Sequence, residues 1–199
     1  MSGGCCRAPW ATYAKAALER PKSIAFPTSS IPTNQITFST MAISSLSDDH
    51  HVVRHVNYQQ IDRDDVTGAI RGIFPQAFEL LPKDDGYLSA SWLEFFAGSR
   101  ICCVAAIAAF LARTRKVTAK QAFACGRVGD VKEACSEYGL KIRVLHEPDD
   151  EYYNPAYAAI RRYQSDNHEL LDLLASSAWS AVTDAKDVIG MIGPWPRRT

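Results

Sequence analysis

No Cys-x-x-Cys pair occurs in this chain, although it carries six cysteines (Cys5, Cys6, Cys102, Cys103, Cys125 and Cys135), so zinc-ribbon and thioredoxin-like chemistry has no ligand set. Cys102 and Cys103 fall inside an apolar helical stretch and read as small buried hydrophobes. This usage fits a reducing, cytoplasmic setting. An excess of charge is also missing: 22 Lys and Arg balance 22 Asp and Glu, which removes the bulk electrostatic argument for nucleic-acid binding. The longest apolar run, residues 101–112, falls short of the ~20 residues a helix needs to span a bilayer, so no membrane partner is expected. No apolar run near the N-terminus suits a secretory signal. Gly126-Arg127-Val128-Gly129-Asp130 lacks both the Lys-Ser/Thr of a phosphate loop and the third glycine of a dinucleotide fingerprint. A Gly-x-Ser-x-Gly elbow is absent too, and no internal repeat appears.

What remains is ordinary globular usage, 47% hydrophobic and 22% charged over 199 residues, enough for one sizeable domain. The neutral total hides an uneven distribution. Residues 1–40 hold Arg7, Lys15, Arg20 and Lys22 against Glu19 alone, a net of +3, so the remainder carries −3. The front segment is also rich in Ser, Thr and Pro. Three readings fit residues 1–44: a basic targeting peptide, a flexible arm, or an upstream extension with Met41 as the natural start. Residues 45–190 are expected to form one α/β or α+β domain, and residues 191–199 a tail.

Local patterns predict the elements. Residues 51–56 are β-branched and predict a strand, and 62–70 a helix capped by Asp62. After a turn at 82–86, residues 87–91 alternate as a strand and 92–97 follow as a helix. Residues 100–115, apolar on nearly every face, predict a buried central helix. A strand at 122–128, a helix at 130–138 stopped by Gly139 and a strand at 140–146 form a strand–helix–strand unit, compatible with a compact crossover. Asn154-Pro155 predicts a helix start, and Asp166-x-x-Glu169 a capping box for a long last helix. The expected fold is therefore a small mixed sheet of about four strands, a central helix and a helical C-terminal part.

Three constellations carry polar chemistry. In Tyr87-Leu88-Ser89-Ala90-Ser91-Trp92-Leu93-Glu94, the residues Tyr87, Ser89 and Ser91 alternate on one strand face, a set of hydroxyls suited to a phosphate or ribose. Ser91-x-x-Glu94 also fits a capping box, which explains both residues without a ligand. His50, His51 and His55 follow Asp48 and Asp49. On a strand His51 and His55 stand about 13 Å apart, too far to share one metal ion. His146, Glu147, Asp149, Asp150 and Glu151 form an acidic group at a strand end, open to a base–carboxylate or divalent-metal reading. Beside them, Arg161 and Arg162 with Tyr157 and Tyr163 make a small basic–aromatic group.

The order Arg54, then Tyr87-Leu88-Ser89-x-Ser91, then Glu94 resembles the spaced pattern of NAD-consuming ADP-ribosyltransferase-like domains, including the bacterial RES-type toxins. The resemblance implies that Arg54 and Ser89 would contact the dinucleotide, and that Glu94 would assist departure of nicotinamide. Such folds are rich in strands, whereas the second half here is expected to be helical. The residues themselves favour a non-catalytic accessory protein acting through contacts with another protein, with no cofactor. The alternative is a nucleotide- or NAD-binding enzyme using Arg54 and Glu94 as catalytic groups and Tyr87, Ser89 and Ser91 as ligand contacts.

Overall fold

The computed structural model describes residues 43–81, 86–148, 154–189 and 191. Most of the arm expected at 1–44 and of the tail expected at 191–199 lies outside them, as does most of the turn expected at 82–86. The described chain is a mixed α/β unit built on one sheet of seven strands, not four. The strands are β1 (Ser44–Ser45), β2 (His51–Val56), β5 (Tyr87–Trp92), β6 (Ala122–Arg127), β7 (Arg143–His146), β8 (Tyr157–Arg161) and β9 (Ala181–Asp184). Their spatial order is β1-β7-β8-β5-β2-β6-β9, and every neighbouring pair is antiparallel. A separate hairpin, β3 (Ile61–Arg63) with β4 (Ile70–Ile73), stands beside it. The helices are few and short: α1 (Arg100–Leu111), α2 (Val128–Glu137), α3 (His168–Leu173) and α4 (Ala185–Ile189).

Strand alternation sends successive side chains to opposite faces, and two cores result. On the first face, Val52, Val56, Leu88, Ala90, Ala122, Ala124, Val144, Ala158 and Ile160 meet α2 and α3. On the second, Val53, Phe123 and Cys125 lie under α1 and α4. Helix α1 is buried on nearly every side, as its continuous apolar run predicted. Its alanines leave little bulk between helix and sheet. Helix α2 begins at Val128 and ends before Gly139, whose φ of +77° suits a residue without a Cβ.

The expected strand–helix–strand unit is present, but wider than a compact crossover. Strands β6 and β7 run in the same sense, with β2, β5 and β8 between them, so α2 traverses the first face.

Four local readings are overturned by pairing. Residues 62–70 are a hairpin rather than a helix. The Asp64 carboxylate accepts from the N–H groups of Val66 and Thr67 and from the Thr67 hydroxyl, and Gly68 completes the turn at φ +69°. Residues 92–97 hold only a 3₁₀ turn at Leu93–Phe95. Asn154-Pro155 leads into β8, which lies between β5 and β7 and pairs with both. Two paired neighbours outweigh the helix preference of its alanines. The long last helix is α3, continued by a π-helical turn at Leu174–Ala178. The chain then leaves the helix, and Val182 belongs to β9. The capping side chain of α3 is Asn167, accepting from the Leu170 N–H at 3.1 Å, not Asp166.

Gly126 marks the closest approach between sheet and helical layer. A Cβ there would stand 2.7 Å from the Ala178 carbonyl oxygen and 3.0 Å from the Trp179 ring. Neither a backbone carbonyl nor a fully buried indole can yield cheaply. We expect Gly126→Ala to destabilise the fold by about 1–3 kcal/mol in chemical denaturation. An unchanged midpoint would mean that the π-helical turn shifts freely.

Candidate functional site

The ladder between β2 and β5 is short. Only Val52–Trp92 and Val53–Ser91 pair, and beyond them the strands part. Arg54 occupies the opening. Its Nε donates to the Ala77 carbonyl at 2.7 Å and its Nη1 to the Ser89 carbonyl at 2.8 Å. The guanidinium thus bonds the Ser89 carbonyl where the ladder has stopped, and ties it to the 3₁₀ turn that holds Ala77. Charged donors to carbonyls are among the stronger protein hydrogen bonds.

A cleft of about 580 Å³ opens where the strands part. Val53, His55, Ser89 and Ser91 form its floor, all on the second face of the sheet. The end of α1 and the following turn supply Phe110, Leu111, Thr114, Arg115 and Lys116 to one wall. Gln76, Glu79 and Leu81 stand on another, and Asn154 and Tyr157 close a third side. The Tyr157 hydroxyl meets the Ser89 hydroxyl at 3.2 Å. Burial raises the Tyr157 pKa, so the phenol stays protonated.

Among the described lining residues basic groups outnumber acids: Arg54, Arg115 and Lys116 carry charge beside Glu79. His55 does not add to them near neutral pH. Burial chiefly, and then Arg115, lower its pKa from 6.5 to about 4, against a smaller opposing bond from Gln121.

Of the residues singled out in the sequence, Arg54, Ser89 and Ser91 share this cleft. Tyr87 lies on the same strand face but outside the lining. The Arg161 guanidinium sits 4.3 Å from its ring centroid and also bonds Glu147. Glu94 is elsewhere. Its Oε1 lies 2.7 Å from His51 Nδ1, and both carboxylate oxygens accept from the His51 N–H, at 3.1 and 2.9 Å. Ser91 does not cap a helix but pairs in the sheet with Val53 and Tyr157, so the expected capping box does not form.

The other polar groups are also dispersed. Asp48 pairs with Lys132 and Asp49 with Arg127, while His50 stands against Trp92. His146 meets the Pro155 carbonyl at 2.7 Å and lies beside Trp92 and Phe95, while Asp149, Asp150 and Glu151 lie outside the described residues. Tyr163 is buried and donates to the Phe78 carbonyl. Among the described residues no group of three His, Cys, Asp or Glu side chains could hold a metal ion.

Sequence reasoning missed His55, Arg115, Lys116, Asn154 and Tyr157 as members of one site. The basic run 113–116 after the apolar helix was the available signal. Asn154 was hidden by its resemblance to a helix cap. Compared with known proteins, the chain matches no family model, no curated protein and no solved structure.

Two outcomes follow. Between pH 6.5 and about 4 the unfolded chain holds a proton on His55 that the folded protein refuses, so stability falls as pH falls through that window. We expect His55→Phe to flatten this slope by about 2–3 kcal/mol, measured as denaturation free energy at pH 7 and pH 4.5. Parallel slopes for parent and variant would show that the imidazole is not shielded. Glu94→Gln keeps one acceptor for the His51 N–H and is expected to cost about 1 kcal/mol in stability. It should leave ligand affinity in the cleft unchanged, which calorimetry would check.

Proposed function

We propose that this protein binds a small phosphorylated ligand of nucleotide size in the cleft between β2 and β5. The observation that carries this reading is the lining itself: among the described residues, three cationic side chains, hydroxyls and amides converge with one acid. The volume falls within the ~300–1,000 Å³ common to small-molecule sites. Arg115 and Lys116 are exposed at the rim and are suited to an incoming anion. Ser89, Tyr157 and Gln121, less exposed than these, offer neutral hydrogen bonds, and the exposed Gln76 adds another. Arg54 serves chiefly to hold the opening in shape, because its Nε and Nη1 bond carbonyls.

This reading favours binding over cleavage of a dinucleotide. The acid that the ADP-ribosyltransferase-like resemblance would employ, Glu94, lies outside the lining and is engaged by His51. A second reading, an accessory domain acting on another protein, draws on exposed apolar side chains on and beside the hairpin. Val66 is 93% exposed, and Tyr58 and Phe74 are also exposed.

The deciding measurement is calorimetric titration of the full chain with inorganic phosphate and with AMP, GMP, CMP and UMP. We expect millimolar or tighter binding that weakens with added salt. The double variant Arg115→Ala, Lys116→Ala should lose about tenfold in affinity while melting within a few degrees of the parent. If none of these probes binds at millimolar concentration, the protein-contact reading is left standing.

A further inference from the structure

The cleft carries two buried polar atoms with no hydrogen-bond partner among the described residues. Asn154 is only 6% exposed, and its Oδ1 is buried without a partner. His55 Nε2 is likewise buried and unpartnered. Both residues line the cleft, and both flank the point where the strands part. His55 stands two residues beyond Val53, the partner of Ser91. Asn154 begins the turn into β8, where its carbonyl accepts from the N–H of Tyr157, and Tyr157 is the other partner of Ser91.

A buried polar atom left unpaired costs about 1–3 kcal/mol, and native proteins keep few of them. Two in one cavity therefore call for a cause. An amide oxygen is an acceptor only. A neutral imidazole offers one ring nitrogen as an acceptor, and with the ring proton on Nδ1 that nitrogen is Nε2. Both orphan atoms thus ask for donors. The rim, with the exposed Arg115 and Lys116, suits the opposite kind of group, an anion.

The geometry points to Asn154 and His55 as an acceptor pair that receives hydrogen-bond donors from the non-phosphate end of the ligand, which selects hydroxyl- or amino-bearing phosphates such as nucleoside monophosphates over simple anions. This inference rests on the cleft being a phosphate site. The rim supplies affinity for charge, and the inner pair supplies the distinction between ligands. A donor-lacking analogue would leave both acceptors unpaired, which is how buried sites reject close mimics.

The test uses the full chain, calorimetry and the same probes. At least one of AMP, GMP, CMP and UMP is expected to bind ten- to a hundredfold more tightly than inorganic phosphate, an increment of the size hydrogen bonds provide. The 2′,3′-dideoxy form of the best binder separates ribose hydroxyls from base amino groups as the donors. Asn154→Leu, close in shape, removes the orphan oxygen. It should melt no lower than the parent, retain phosphate affinity within twofold and lose at least tenfold of the nucleotide advantage. A merely structural Asn154 would instead lower the melting temperature and leave that ratio intact. His55→Phe, which keeps the ring beside Phe123 and deletes Nε2, gives the same readout independently.

Phosphate binding in the parent with no nucleotide preference overturns the inference while the phosphate site stands. The same holds if both variants keep the preference, in which case ordered water satisfies the two atoms. Absence of any phosphate or nucleotide binding overturns both.

Discussion

The parting of β2 from β5, and the Arg54 side chain that fills the opening, is the constraint on which this structure turns. A seven-stranded antiparallel sheet normally satisfies its backbone by unbroken ladders. Here the central ladder runs for two residue pairs and then stops. Without another donor, the Ser89 carbonyl facing the gap would lack a bond. Arg54 supplies it and reaches on to the Ala77 carbonyl, tying the 3₁₀ turn at Pro75–Phe78 to the sheet. The strands can diverge without a heavy penalty, and a concave, polar-lined space appears in the middle of a sheet. An ion more often given to ligands is here part of the frame that makes a ligand site possible.

The rest of the molecule keeps that space in place. One sheet face is sealed by α2, α3 and the π-helical turn, with Trp179 fully buried against Phe78. The other is only partly roofed. Helix α1 lies over β2 and β6, and the turn after it brings Arg115 and Lys116 to the rim of the cleft. Small residues make the layers fit: Ala122, Ala124 and Gly126 on β6, and a run of alanines in α1. The same compactness leaves buried polar atoms visible as exceptions, because the surroundings cannot close around them.

The candidate site was legible only in fragments. Arg54, Ser89 and Ser91 stood out, and the structure brings them to one cleft. Glu94 stood out for its spacing from Ser91, yet His51 holds it through its backbone N–H and its ring. No local pattern announces such a partner, 43 residues away in the chain. Asn154 was read from its neighbour Pro155, and that pair signals a helix start well. The signal was overruled because the following residues are needed in the sheet, between two strands contributed by distant segments.

The sequence by itself determined what depends on short range. It specified β2 by its β-branched residues, α1 by its apolar run, α2 with its Gly139 stop, and the alternation that puts Tyr87, Ser89 and Ser91 on one face. It also excluded the glycine-rich phosphate loop and nucleophile elbow by their spacing. Tertiary structure decided the number of strands, the conversion of two expected helices into a hairpin and a central strand, and the place where the sheet opens. Those outcomes rest on pairings between residues far apart in the chain. Such pairings are favourable only once several strands are assembled together, so no window of adjacent residues carries them.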